Sequence, residues 1–332
     1  MFGPTSPSNA DSKSPFALNW HEPVRVLSID GGGIRGVIPT LILAEVEART
    51  SNPISSMFDL IAGTSIGGIL ALCLASSDAS GKAAWGAAGI FKIFEQAAHE
   101  IFVPTGRSAV NGIFHNRYGH EHIESTLERY LGNRMLSEAI CDVLLTSYDL
   151  SAREMVFLNS IEARQDPAND LPMRVAGRAT SAAPTYFQPA LTREVNPRLL
   201  LDGAVCANNP AMCAFAEVVK HKRSTEMLMV SLGTGSPGKA MGHKSVQNWG
   251  LAQWARPMFH LLLDGASDAV HRQLREMLPR DSYFRFQVEL VRGSESLDNA
   301  SRANIKNLVL DAQRLIRSAT KELDLLCELL TR

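Results

Sequence analysis

No C-x-x-C pair and no histidine at zinc-finger spacing accompanies the five cysteines, Cys73, Cys141, Cys206, Cys213 and Cys327, which are odd in number and widely scattered. A disulfide framework and a structural zinc are therefore not expected. Neither sign of charge is in excess, since 33 basic against 34 acidic side chains leave a net −1. That balance gives no general pull toward a nucleic-acid polymer or an anionic lipid surface, and leaves only local patches open. Long apolar runs are missing as well, and none reaches the roughly 18–20 residues of a bilayer span. Met1 to Trp20 is rich in Ser, Pro, Asn and Asp and has neither a basic opening nor an apolar stretch. It does not read as a secretion signal, so a loose arm over residues 1–22 and a cytoplasmic location are expected.

What remains is an ordinary globular composition. The 332 residues, 45% apolar and 20% charged, suffice for a sizeable core and for one large domain or about two of usual size. Val24 to Ile29 is a short apolar run followed at once by Asp30-Gly31-Gly32-Gly33-Ile34-Arg35-Gly36 and then by Val37 to Thr50. Pro39 is tolerated in a first turn there, and Leu41, Ile42, Ala44 and Val46 supply the apolar face, which makes strand, glycine loop and helix. Phe58 to Ala62, Gly63 to Gly68 and Ile69 to Ala75 repeat that grammar. The two loops should emerge on one edge of a parallel sheet.

Further strands are expected at Val143 to Tyr148, Met155 to Asn159, Leu199 to Leu201, Met227 to Leu232 and Tyr283 to Val291. Helices are expected at Lys82 to Ala98, His120 to Leu131, Pro172 to Ala182, Pro210 to Lys220, Trp249 to Leu278 with a break at Pro257, and Ala303 to Leu330. The last carries an apolar stripe at three- and four-residue spacing, the mark of a core-packing face. No repeat, low-complexity tract or linker divides residues 24–330. The expectation is one α/β domain over residues 23–332, with a mostly parallel central sheet flanked by helices.

Gly63-Thr64-Ser65-Ile66-Gly67 matches the G-x-S-x-G nucleophile elbow, in which a serine sits on a sharp strand-to-helix turn between small residues. The pattern alone is weak, but a strand before it and an apolar helix after it give it weight. Acyl transfer through a serine builds a tetrahedral oxyanion that needs preorganised donors about 3 Å away. The backbone of Gly31, Gly32 and Gly33 can supply them, because residues without Cβ allow close approach. Arg35 suits steadying that loop or meeting a lipid phosphate, and equally a structural ion pair.

Gly31, Gly33 and Gly36 also spell G-x-G-x-x-G after a strand, the fingerprint of a dinucleotide site. That site wants an acid at the far end of the second strand. Asp59 stands at the near end, and Asp30 beside the first glycine would repel a pyrophosphate. A serine hydrolase also needs a base, for which histidine is the usual choice. Most of the nine histidines lie in polar or helical stretches, and none stands in a small-residue loop directly after a clear strand. Asp202-Gly203-Ala204 instead places an acid at the end of an apolar strand with room cleared behind it, which makes Asp202 the better base. Asp264-Gly265-Ala266 repeats the triplet inside a helical pattern and reads as a helix junction, with Asp264 the next candidate.

Asp30 to Gly36, Gly63 to Gly67 and Asp202 to Ala204, in that order, resemble the three signatures of the patatin-like phospholipases. Ala179 to Phe187 and Ser231 to Gly235 also resemble family segments, and the likeness runs over residues 24 to about 240. It implies a lipid acyl hydrolase of phospholipase A or lysophospholipase type, with Ser65 as nucleophile, Asp202 as base and Gly31, Gly32 and Gly33 as oxyanion hole. Arg35, Gly63, Gly67 and Gly203 would support the site, and no metal or other cofactor is implied. The partner implied is membrane phospholipid, met by transient association with the membrane surface. Some compact bacterial members are antiviral effectors switched on by cyclic nucleotides, so a cyclic-nucleotide activator and a homo-oligomer are further expectations. A non-catalytic lipid-binding or scaffold protein of the same fold is the alternative. Ile90, Phe91, Phe94, Ile101, Phe102, Ile113 and Phe114 cluster as an acyl pocket, a lid over Ser65, or ordinary core.

Overall fold

The computed structural model describes residues 23–103, 116–192, 197–222, 226–238 and 246–332. The N-terminal arm expected over residues 1–22 lies outside them. The strands are β1 Val24–Ile29, β2 Leu60–Gly63, β3 Asp142–Asp149, β4 Glu154–Asn159, β5 Ala190–Thr192, β6 Arg198–Asp202, β7 Met227–Leu232, β8 Ser236–Pro237, β9 Tyr283–Phe286 and β10 Glu289–Leu290. β3, β2, β1, β7 and β9 run parallel in that spatial order, β4 and β6 pair antiparallel with β3, and β5 pairs antiparallel with β6 at the sheet's edge. Helices cover both faces, so the chain has the α/β architecture with a mostly parallel central sheet. β1 shows why. Leu27 and Ile29 pack into a large core on one face, and Val24 and Val26 into a smaller core on the other, as the period of two along a doubly covered strand demands.

The expected elements appear with four differences. The last helix bends at Ala319 into Arg302–Ser318 and Thr320–Thr331. Ala319 leaves helical geometry there, and both halves can then lie against helix Val37–Thr50. The run Tyr283 to Val291 divides between β9 and β10, and β10 pairs with β8 in a separate two-stranded ladder. Helix Ala87–Ile101 starts five residues later than its pattern suggested, because Asp78 to Ala84 is held in a turn by Asp78 N–H to Lys82 O and Ala84 N–H to Ser76 O. Glu47 then caps it, accepting from Ala87 N–H at 2.7 Å. Finally, helix Leu251–Met277 runs through Pro257 without a break and carries Asp264 inside it. One missing N–H does not end this helix, whose inner face is anchored by buried Leu263, Ser267 and Leu274.

β3 organises the functional end of the sheet. Along one edge it pairs with β4 from Leu144 to Asp149. Its other edge is shared: β2 pairs with it up to Gly63 opposite Leu145, and β6 runs the opposite way to end with Asp202 opposite Ser147. The C-terminal ends of β2 and β6 therefore meet head-on across Thr146.

The glycine loop after β1 is held from the other side. Arg285 of β9 makes a two-pronged ion pair with Asp30, at 2.9 Å to Oδ1 and 2.6 Å to Oδ2, and also donates to Ser231 Oγ at 2.8 Å. Both charged groups are buried. Burial raises the Asp30 carboxyl above its ordinary value, opposed by the charge and hydrogen bonds of Arg285. Arg285→Leu should destabilise the fold by about 3–5 kcal/mol in urea unfolding, since it strands a buried acid. The double variant Asp30→Leu with Arg285→Leu should recover at least half of that loss. Equal losses in single and double variants would show that packing of β9, not the ion pair, secures this edge.

Candidate active site

The strand-to-helix turn at Ser65 is as tight as its sequence requires. Ser65 has φ 56° and ψ −122°, a strained conformation for a residue with a side chain, and helix Ile66–Ala75 begins immediately after it. The turn closes only because its flanks are bare. A methyl group at Gly63 would lie 2.2 Å from Gly67 O, and one at Gly67 would lie 2.2 Å from Ile29 O. Three threonines brace the turn: Ser65 N–H donates to Thr180 Oγ1 at 3.0 Å, Thr180 Oγ1 to Thr146 O at 2.7 Å, and Thr64 Oγ1 meets Thr146 Oγ1 at 2.7 Å. None of the three stands out in sequence, because threonine in a strand or turn has many ordinary uses.

The head-on meeting of β2 and β6 brings Ser65 and Asp202 together in the lining of one pocket, close enough for the Ser65 hydroxyl to lower the proton affinity of the Asp202 carboxyl. Ala204 N–H donates to Asp202 Oδ1 at 2.8 Å. Asp202 is 1% exposed. Burial pushes its pKa from 3.8 up to about 7, and the Ser65 hydroxyl and the Ala204 N–H pull the other way. Gly203 follows so close to β3 that a methyl group on it would fall 2.0 Å from Thr146 Oγ1.

Other residues singled out in the sequence take different places. Gly31 N–H already donates to Asn208 O at 3.0 Å, which withdraws it from the expected set of oxyanion donors. Gly32 and Gly33 line the pocket beside Ser65, and Ile66 N–H opens the helix after it. These three N–H groups have no acceptor among the described residues. Arg35 is 3% exposed and donates to Gly32 O and Gly235 O, so it holds the loop from behind and does not line the pocket. Asp264 lies outside the pocket too, half-buried near Arg35. Asp59 accepts from Arg25 N–H at 2.8 Å at the start of β2, away from any ribose position.

Above Ser65 opens a pocket lined largely by apolar side chains. Three helix faces wall it, and each contributes residues at helical spacing: Ile66, Ile69 and Cys73 from helix Ile66–Ala75, Phe94, Ala98 and Ile101 from helix Ala87–Ile101, and Ile123, Leu127 and Leu131 from helix Glu121–Leu131. Tyr186 and Phe187 close one side, and Leu263 and Leu297 another. Phe94, Ile101 and Phe102 are therefore pocket wall, while Ile90 and Phe91 belong to the core behind it. Ile113 and Phe114 lie outside the described residues. Cys73 is a buried wall residue whose thiol is pushed up to about 12, so it stays un-ionised.

Two residues the sequence did not advertise matter here. Arg285 reads as an interruption in an aromatic strand, and only the sheet order aims it at Asp30. Asn208 lines the pocket, yet in sequence it is one of two adjacent asparagines before a proline. One group with metal-ligand spacing exists among the described residues, Glu162, Glu217 and His221, whose ligand atoms lie within 4.8 Å of one another. It does not line the pocket, and the Lys220 ammonium stands 2.9 Å from Glu162 and 3.9 Å from Glu217.

The family model for patatin-like phospholipase matches residues 27–215. Patatin-like protein 2 of Oryza sativa is 29% identical over 98% of this chain and 91% of its own length. Patatin-like protein 1 of Arabidopsis thaliana is 26% identical over 91% of this chain and 83% of its own length. A relative from Solanum tuberosum named "Probable inactive patatin-3-Kuras 1" is 28% identical over 94% of this chain and 91% of its own. With the family model spanning the glycine loop, the elbow and Asp202, this chain belongs to the patatin-like phospholipase family.

Proposed function

We propose that the chain is a lipid acyl hydrolase of phospholipase A or lysophospholipase type, with Ser65 as nucleophile and Asp202 as general base. One observation carries this reading. A serine on a strained elbow shares the floor of a largely apolar pocket with a buried carboxyl whose proton affinity its hydroxyl lowers. Such a pocket suits a fatty acyl chain, and the few polar groups at its floor suit the ester. The helix that lends Leu263 to the pocket also presents Met258, Leu261 and Leu262 to solvent, Leu262 at 65% exposure. That face supports transient association with the membrane surface. No described helix is long and apolar enough to cross a membrane.

In this mechanism Ser65 Oγ attacks the ester carbonyl as Asp202 takes its proton. Gly32, Gly33 and Ile66 N–H groups receive the oxyanion, aided by the positive end of helix Ile66–Ala75. Asp202 then passes the proton to the departing alcohol, and water releases the fatty acid by the same steps in reverse. The raised acid matters energetically. Against an alcohol near 15.7, a carboxyl at its ordinary value leaves about 16 kcal/mol for full proton transfer, and one near 7 leaves about 12. No free alkoxide forms, so proton removal accompanies attack and the oxyanion donors carry much of the stabilisation.

The rival reading is a lipid-binding protein of the same fold without turnover, a real option in a family with a relative named as inactive. The Ser65 contact with Asp202 argues against it, since binding a lipid needs neither. A cyclic-nucleotide activator and a homo-oligomer rest on the family resemblance alone.

Ser65→Ala and Asp202→Asn should each abolish release of fatty acid from a mixed phospholipid extract, followed by mass spectrometry, with circular dichroism unchanged. Because the two residues act as a unit, the double variant should be no worse than either single. Near-normal turnover in Asp202→Asn would move the base elsewhere. Activity should also survive excess chelator, since the serine route needs no Lewis acid. A loss that calcium restores on a soluble ester would overturn the metal-free mechanism.

The base must be ionised to act, so kcat/KM on a soluble ester should rise as pH passes through about 7. Stability moves oppositely. Between about pH 4 and pH 7 the unfolded chain has released a proton that folded Asp202 retains, so ionising it costs the fold up to about 4 kcal/mol by the top of that window. Asp202→Asn should therefore melt above wild type at pH 8 and match it near pH 4. A gap that is the same at both pH values would contradict the raised carboxyl.

A further inference from the structure

Asn208 holds a position that the elbow and the Ser65–Asp202 contact leave unexplained. It is 6% exposed, and its Nδ2 donates to Ser267 Oγ at 3.1 Å. Its Oδ1 is buried without a hydrogen-bond partner among the described residues, in the lining of the pocket that holds Ser65 and Asp202. Gly31 shows where that oxygen lies. A methyl group on Gly31 would stand 2.5 Å from Asn208 Oδ1 and 3.4 Å from Ser65 Cβ, so the amide oxygen is at most about 6 Å from the serine's Cβ. That separation leaves the oxygen within reach of a water that takes its place beside an acyl group on Ser65, with a hydrogen bond to the acceptor of about 2.8 Å. Asn209 makes the contrast, since its Oδ1 accepts from Ala211 N–H at 3.0 Å and its amide serves the turn. An acceptor left open beside a nucleophile is instead matched to a donor that arrives with the reaction.

We propose that Asn208 Oδ1 binds the water that hydrolyses the acyl-enzyme, which makes Asn208 a catalytic residue of the second half-reaction. The inference rests on Ser65 being the nucleophile. In that step the water oxygen bonds to the acyl carbon, one of its hydrogens passes as a proton to Asp202, and the other stays on oxygen and points at Asn208. The bond from the acyl carbon to Ser65 Oγ then breaks, Asp202 returns the proton to Oγ, and the fatty acid leaves. In the first half-reaction the same place is held by the oxygen of the leaving alcohol, which has no hydrogen until Asp202 delivers one. Water alone brings a second hydrogen, so an acceptor here serves deacylation and is idle during acylation.

Stopped-flow hydrolysis of a medium-chain p-nitrophenyl ester, with mass spectrometry of the quenched protein, tests this. Asn208→Ala should release one full turnover of p-nitrophenol at the wild-type rate, then run about 10–100-fold slower, with an acyl adduct accumulating on Ser65. Ser267→Ala, which keeps Oδ1 but unties the carboxamide, should show the same split with a smaller factor. A merely structural role would slow both phases together or lower the melting temperature. Either result, or an unchanged steady state in Asn208→Ala, overturns the proposal. A fluorophosphonate probe keeps the two readings apart. Labelling of Ser65 in wild type and Asn208→Ala alike supports the nucleophile, and its absence in wild type overturns the Ser65 reading itself.

Discussion

The site depends on two strands running head-on along one edge of a third. β2 ends with Gly63 opposite Leu145 and β6 ends with Asp202 opposite Ser147, so one residue of β3, Thr146, separates the registers. That gap is too narrow for ordinary side chains. Gly203 closes it, with no room for a methyl group against Thr146, and the hydroxyls of Thr64 and Thr180 bond to Thr146 where the strands stop. The strain at Ser65 persists because the surrounding contacts determine its conformation more than once, through Thr180 below and the helix behind.

Three Asp-Gly pairs in this chain meet three environments, and the contrast shows how tertiary structure assigns roles to identical local sequence. Asp30 is paired with Arg285 and anchors the glycine loop. Asp202 is buried beside a neutral hydroxyl with no cation in contact, so burial dominates and its pKa rises to about 7. Asp264 sits midway along a helix, half-buried, with Arg35 opposing the effect of burial. Only the second is both buried and free of a compensating charge, the condition that makes a carboxyl a useful base near neutrality.

The pocket adds a second layer to that division. Its floor belongs to the sheet ends, which are rigid and polar, whereas its walls belong to helices whose apolar stripes converge above Ser65. The cluster from Ile90 to Phe102 contributes to core and pocket at once, because one helix shows different faces to each. Core and pocket wall are thus two faces of the same element. Gly31 illustrates how a neighbour can take a donor away, since the backbone carbonyl of Asn208 occupies its N–H before any substrate arrives.

Much of the fold and the central pair were legible in the sequence, because they rest on local rules. Apolar period and glycine punctuation set β1, β2, the elbow and the helices behind them, and Asp202 stood out as an acid directly after an apolar strand. Physical logic of that kind needs only neighbours along the chain. What the sequence could not decide were contacts whose partners lie far apart: Arg285 with Asp30, 255 residues away, and Thr64 with Thr146, 82 residues away. The same holds for the bend at Ala319, the unbroken helix through Pro257 and the carbonyl that occupies Gly31. Each depends on which surfaces the sheet order brings together, and burial, which sets both the carboxyl's proton affinity and the cost of an unpaired polar atom, exists only once the chain has folded.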